Sequence, residues 1–167
     1  RFDFTQPKAI TREELQQIED DVNEKVSRGV PVITQVMDLD AARKSGATAL
    51  FGEKYGDSVR VVSMGDFSRE LCGGTHLANI GQVGLCKLLS EESVASGTRR
   101  VTALTGKRAL EKIRQDETIL AELAGLLKSR PEDLPKRVTA LAEEVKQLKR
   151  DLTKKTTQSA GTSADSL

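Results

Sequence analysis

Leu134, Val138, Leu141, Val145, Leu148 and Leu152 are separated by 4, 3, 4, 3 and 4 residues. Only a helix keeps that spacing on one side, and the pattern is the a/d seam of a coiled coil. After Pro131 and Pro135 the character of the chain changes to this pattern. The last third of the 167-residue chain is therefore expected to be a helical extension, opening near Pro131 and Pro135. Three heptads are short for an isolated coil, so the seam is expected to pair in a hairpin with a preceding helix, to self-associate, or to dock on a partner. Lys128 to Lys155 carry nine Lys/Arg against five Asp/Glu, a surplus of +4, whereas residues 1–127 sum to −2. That surplus suits an anionic partner and equally suits a solvated helix face.

The remaining residues must supply the globular part. Hydrophobic content of 37% and aromatic content of 3% imply a modest core of Val, Ile, Leu and Ala, and 31% charged residues imply a well-solvated surface. Arg1-Phe2-Asp3-Phe4 alternates as a strand does, and reads as a chain cut inside a larger protein. Thr11 and Glu14 form a capping box, after which Leu15, Ile18, Val22 and Val26 repeat at helical spacing until Gly29 and Pro31. Strands are expected over Val32–Val36, Ser58–Met64, Gly84–Leu89 and Arg99–Leu104, with a short helix capped by Asp38 or Asp40 and a long helix after Gly106. This order predicts an α+β fold, a mixed or antiparallel sheet with packed helices, over residues 1–112. A helical hairpin or coiled-coil extension over 113–155 and a disordered tail over 156–167 complete the expected organisation. No stretch has membrane-spanning length or a signal-peptide pattern, and two cysteines do not make a disulfide framework. A reducing, cytoplasmic setting is the expectation, with no membrane partner.

Chemistry concentrates in Glu70-Leu71-Cys72-Gly73-Gly74-Thr75-His76, which holds the only histidine of the chain and one of its two cysteines. Two adjacent glycines disfavour a helix by about 1 kcal/mol each relative to alanine, so a tight loop is expected. Its glycines would let the backbone approach an ion or a substrate. Thiolate and imidazole are preferred zinc ligands, although two ligands do not complete a site. A buried thiol beside a surface imidazole is the bland alternative, and a nucleophilic Cys72–His76 pair is a third. Cys86 reads as a core thiol. Arg99 and Arg100 fall on opposite faces of a strand, so one can be solvated while the other meets a carboxylate or carbonyl of the protein or a phosphate or ribose of a ligand. Asp66 either orients a ligand or forms a turn.

Taken together, Ser68-Arg69-Glu70-Leu71-Cys72-Gly73-Gly74-Thr75-His76 and the following Gly81-x-x-Gly84 resemble the second metal motif of the alanyl-tRNA synthetase editing domain. The resemblance extends upstream to Arg1-Phe2-Asp3-Phe4, Asn23, Met37-Asp38 and the 49–55 run, and downstream to Ser90-Glu91, Gly97 and Arg99 to Gly106. It covers roughly residues 1–155, and the heptad helix is similar to the family's linker to its C-terminal domain. The threonyl-tRNA synthetase editing domain shares the architecture, but the Cys-Gly-Gly-Thr-His form favours the alanyl branch. The resemblance implies hydrolysis of serine or glycine wrongly esterified to alanine tRNA, with tRNA as partner. It implies zinc held by Cys72 and His76 together with an H-x-x-x-H pair that would precede Arg1, so this chain carries half of that ligand set. Gly73, Gly74, Thr75, Asp66, Arg99 and Arg100 become candidates for substrate or tRNA binding. ATP and Mg2+ would serve only an aminoacylation domain outside this chain. The alternative function is a non-catalytic tRNA-binding or assembly module that uses the basic coil.

Overall fold

The computed structural model describes residues 1–49 and 55–162, with side chains through residue 154. The middle of the 49–55 run and residues 163–167 of the expected tail lie outside the described residues. The chain divides into a unit Arg1–Lys112 and a unit Ile113–Leu167. The first holds β1 (Phe2–Thr5), α1 (Arg12–Ser27), β2 (Val32–Asp38), α2 (Leu39–Lys44), β3 (Ser58–Met64), β4 (Ser68–Leu71), β5 (Cys86–Ala95) and β6 (Thr98–Thr105). It also holds a 3-10 turn, Ile80–Val83, and the start of α3 (Gly106–Leu127). The strands form two three-stranded sheets, ordered β1-β6-β5 and β2-β3-β4. The fold is α+β as expected, but the strands make two sheets whose ladders are all antiparallel. Among the described residues the parallel contact is one isolated bridge between Thr48 and Glu70.

β3 is the strand around which the site is built. Val61 and Val62 are neighbours and point to opposite faces, yet they are 1% and 0% exposed. Val61 packs in a cluster with Val59, Leu71 and Ala42, to which Met37, Leu39, Ala47, Ala49 and Tyr55 add their apolar surface. Val62 lies on the other face, level with Thr34 of β2 and Glu70 of β4. Burial on both faces accounts for the continuous β-branched run that made β3 readable from the sequence.

α1 begins at the expected capping box: Glu14 N–H donates to the Thr11 hydroxyl, and Thr11 N–H donates to the Glu14 carboxylate. Its side chains then do the work of a neighbouring strand for the start of β5. The Asn23 amide donates to the Cys86 carbonyl and accepts from the Cys86 N–H, both at 2.8 Å. Glu19 accepts from the Leu88 N–H at 2.6 Å and pairs with Lys87 at 2.8 Å. Backbone groups that would otherwise be left unpaired are satisfied by the helix.

Two sequence expectations shift. The strand expected over Gly84–Leu89 runs instead from Cys86 to Ala95. Gly84 has φ +67° and approaches Gly106 so closely that a Cβ would lie 3.1 Å from the Gly106 Cα, so the ladder starts beyond it. The second half of β5 is polar and is tied to β6 by the Glu91–Arg99 ion pair, which hides it from a hydrophobic pattern. Asp38 occupies the N-cap of α2, but its side chain makes no capping hydrogen bond.

In the second unit, α3 ends with Lys128 at φ +48°. Ser129 N–H reaches the Ala124 carbonyl at 3.0 Å and Lys128 N–H reaches the Gly125 carbonyl at 3.2 Å, a Schellman closure. A 3-10 turn, Pro131–Asp133, leads into α4 (Leu134–Thr162). The helical backbone thus continues through 156–162, residues that composition assigns to a disordered tail. Along the heptad seam Leu134 is buried, whereas Val138, Val145, Leu148 and Leu152 are exposed.

Glu91 of β5 and Arg99 of β6 form a nearly buried ion pair, with side chains 5% and 13% exposed. The Arg99 hydrogen bonds hold the Glu91 carboxyl below its ordinary value, helped by the charge of Arg99 and by the Ile10 backbone. Asp3 is lowered in the same way by Arg100. Carboxyls depressed in the folded state contribute stability that is complete above the unfolded-state value, about 4.3 for Glu, and is lost as pH falls through the folded-state value. Acid titration followed by circular dichroism should therefore show unfolding setting in below about pH 4. Glu91→Gln should be less stable at pH 7 and should respond less steeply to acid.

Candidate metal centre

The geometry of the site follows from the β3–β4 register. Val61 pairs with Leu71 and Val62 with Glu70, and beyond the last pair the Cys72 N–H donates to the Arg60 carbonyl at 3.1 Å. Alternation then sends Leu71 into the core and places Glu70 and Cys72 on the opposite face, two residues apart. The outer edge of β4 is covered by Thr48, whose N–H donates to the Arg69 carbonyl at 2.8 Å and whose carbonyl accepts from the Leu71 N–H at 2.9 Å. Both flanks of the strand are thereby fixed where the ligand-bearing loop leaves it.

Residues 72–79 leave β4 without regular helix, as the double glycine implies. Neither Gly73 nor Gly74 has a positive φ, so the glycines are not there for a left-handed turn. A Cβ at Gly74 would stand 3.5 Å from the Cys72 sulfur, an ordinary contact, and one at Gly73 would meet open space. Gly73, Gly74 and Thr75 are exposed. The glycines keep the rim of the site thin, beside a cleft of about 270 Å³ lined by Tyr55, Ser58, Arg60, Cys72 and Gly73.

The loop brings His76 back towards β4. Donor atoms of Glu70, Cys72 and His76 all lie within 4.8 Å of one another, and each residue is half-buried. The His76 Nε2 atom is buried and has no hydrogen-bond partner. An unsatisfied buried polar atom costs roughly 1–3 kcal/mol, and a cation placed among the three donors would remove that cost. A thiol sulfur, an imidazole nitrogen and a carboxylate oxygen are the donor types that zinc accepts. The residues present fit a zinc-type ion.

Arg60, which the sequence does not single out, is the clamp of this loop. Its guanidinium donates to the Cys72 carbonyl at 2.9 Å, to the Gly74 carbonyl, and to the Thr34 hydroxyl at 3.4 Å. One planar fork thus ties β2, β3 and the Cys72–His76 loop together. Its signal was its place in the best strand, where an isolated arginine on a buried face needs acceptors. Glu70 was likewise missed as a donor, because a single acid in a four-residue strand carries no pattern.

The other candidates are placed elsewhere. Arg99 and Arg100 belong to β6 of the other sheet and do point to opposite faces, but both meet acids of the protein. Arg99 is bidentate to Glu91, and Arg100 is bidentate to Asp3 at 2.6 and 2.7 Å. Asp66 sits in the β3–β4 turn, at the far end of β4 from Cys72, and pairs with Arg28 at 3.2 Å. Cys86 is buried in β5, where burial and the nearby Glu19 charge push its thiol up. Among the described residues, Cys86 joins no cluster of candidate metal-ligating side chains.

A family model described as the threonyl and alanyl tRNA synthetase second additional domain matches residues 59–102, a span that runs from β3 through the Cys72–His76 loop to Arg100. The chain is 53% identical over 146 residues to alanine–tRNA ligase 1 of Lachnoclostridium phytofermentans, covering 87% of this chain and 17% of the relative. It is 51% identical over 152 residues to alanine–tRNA ligase of Acetivibrio thermocellus and 48% identical over 152 residues to that of Haemophilus influenzae. Each of those alignments covers 91% of this chain and 17% of the relative. The chain therefore spans about a sixth of the length of the curated relatives it matches.

Loss of the Arg60 fork should loosen the loop before it loosens the sheet. Arg60→Gln is expected to lower stability by about 1.5–3 kcal/mol, the range of a hydrogen bond to a charged group, and to speed amide exchange at residues 72–76. Hydrogen exchange read residue by residue, with β3 amides as the internal reference, checks it.

Proposed function

From the identity of about half its residues, over most of its length, to one segment of the alanine–tRNA ligases, the chain is an alanyl-tRNA synthetase fragment, and we propose that this fragment is the metal-binding back half of a tRNA editing site. The observation that carries the reading is the convergence of Cys72 and His76, with the His76 Nε2 atom buried and unpartnered. The proposed reaction is hydrolysis of the ester joining a wrongly attached serine or glycine to alanine tRNA, in an editing region completed by residues outside this chain. The relatives' ligase activity, with its ATP and Mg2+, belongs to the longer proteins and is proposed for a whole of which this is a part.

A zinc ion at the site would lower the pKa of a bound water and polarise the ester carbonyl. The residues of this chain have separate tasks. Cys72 and His76 would hold the ion. Arg60 fixes the backbone between them, so that the donors are placed before any substrate arrives. The thin Gly73-Gly74 rim leaves room for the end of a tRNA, and the exposed Thr75 hydroxyl is available to hydrogen-bond it. Arg99 and Arg100 serve the fold through Glu91 and Asp3 rather than the substrate.

For α4 we propose a coil segment that packs along the exposed Val138, Val145, Leu148 and Leu152 seam and presents its basic residues to tRNA. Among the described residues, no helix is long and apolar enough to cross a membrane. A cytoplasmic site of action follows from the proposed part in protein synthesis.

The test is deacylation of seryl-tRNA by the longer protein that contains this segment. Cys72→Ala and His76→Ala should each lower the rate by at least about 100-fold while leaving tRNA affinity within a few-fold. Unchanged hydrolysis in both variants would remove the metal assignment. Salt-dependent tRNA binding that survives deletion of residues 1–112 but not of α4 would favour the binding-module alternative.

A further inference from the structure

We infer that Asn79 is the positioning residue for His76: its side-chain amide anchors the returning leg of the Cys72–His76 loop to the turn after α1, and so sets the imidazole beside the Cys72 sulfur. The inference rests on the reading of Cys72 and His76 as metal ligands and extends it to a residue outside that donor set.

The outgoing leg of the loop is held by Arg60, through the Cys72 and Gly74 carbonyls. Beyond Gly74 that hold ends, and the neighbours of His76, Thr75 and Leu77, are both exposed. Backbone with so little packing keeps its course only if it is tied again further on. The tie comes two and three residues after His76. The Ala78 carbonyl accepts from the Val32 N–H at the start of β2, at 2.9 Å. The Ala78 and Asn79 N–H groups both donate to the Gln82 side-chain oxygen, at 3.1 and 3.2 Å.

Asn79 joins this leg to a third element. Its Oδ1 atom accepts from the Gly81 N–H at 2.7 Å, which leaves the Nδ2 group to donate to the Gly29 carbonyl. Both ends of the amide are thus engaged, and only one orientation satisfies them. Gly29 follows Arg28, the C-cap of α1, and stands at φ +58°. The helix itself is held to β5 by Asn23 and Glu19, so the anchor point is fixed by the fold. Ile80, next to Asn79, is 6% exposed and keeps the anchor turned inward. Space at the contact is tight as well. A Cβ on Gly81 would lie 3.0 Å from the Asn79 Oδ1 and 3.4 Å from the Gly29 Cα. Cys72 follows directly from the β4 ladder, whereas His76 depends on this second tie for its place. A reacting group displaced by about 1 Å can cost about 100-fold in rate.

Two measurements test the inference, the first without metal. His76 is the only histidine in the sequence, so its ring resonances in the metal-free full chain are a single, unambiguous signal. The wild type should show ring signals shifted from those of a solvent-exposed histidine. Asn79→Ala and Asn79→Asp should both move them to the exposed values while β3 amide signals stay in place. Asn79→Asp keeps the oxygen that caps the 3-10 turn and removes only the donor to Gly29, so it separates the anchor from the cap. Gly81→Ala, which crowds Asn79 without removing a hydrogen-bonding group, should shift the signals in the same direction. In the longer protein that contains this segment, Asn79→Asp should lower kcat for seryl-tRNA deacylation about 10- to 100-fold and leave KM within about threefold, at a temperature where circular dichroism shows it folded. Unchanged His76 signals, an unchanged kcat, or β3 amides that shift as far as His76 would each overturn the inference, and inactive Cys72→Ala and His76→Ala variants would then leave the metal reading standing. Full deacylation by those two variants overturns the metal reading and this inference with it.

Discussion

Val61 and Val62 are consecutive and both are buried, so β3 has no face that can turn to water. A strand in that position cannot slip by one residue relative to its neighbours without exposing one valine and driving a polar side chain inward. Its pairing with β4 inherits the same rigidity. Leu71 must enter the core opposite Val61, and Glu70 and Cys72 must then leave on the other side. The site is thus a consequence of register. Displacing β4 by one residue would bury Cys72 and Glu70 and present Leu71 and Arg69 in their place. Arg60, on the same side of β3 as Val62, converts the register into a loop conformation by holding two carbonyls of the Cys72–His76 segment.

Those features differ in how clearly the sequence announces them. The Thr11–Glu14 box and the β-branched run of β3 are written in local residue preferences, and they form where those preferences place them. The Cys-Gly-Gly-Thr-His loop was legible because glycines exclude a helix there. β4 was not, since Ser68-Arg69-Glu70-Leu71 has neither β-branched residues nor an apolar alternation, and it is a strand only because β3 and Thr48 pair with its two edges. The second half of β5 was hidden for a related reason. Its Glu91 is paired with Arg99 on the neighbouring strand, an arrangement that becomes visible only once the hairpin exists.

The two sheets divide the labour. The β2-β3-β4 sheet positions donors, while the β1-β6-β5 sheet spends its conspicuous charges on itself, through Arg99 with Glu91 and Arg100 with Asp3. The Arg99-Arg100 pair, for which the sequence leaves open an acid of the protein or a group of a ligand, makes cross-strand ties in the folded chain. The loop and its neighbours thereby carry the proposed function, with the exposed Thr75, the glycine rim and the basic α4 helix as the proposed contacts with tRNA. A fragment that is a sixth of its relatives' length can therefore carry a defined donor set without carrying a complete reaction.

The most direct measurement is anomalous X-ray diffraction at the zinc absorption edge from crystals of the full chain grown with equimolar zinc. The account predicts one dominant peak per chain, bonded to the Cys72 sulfur and the His76 imidazole, with β3 and β4 in the register described. A well-ordered structure with zinc bound elsewhere, or with Cys72 and His76 turned away from each other, would contradict it.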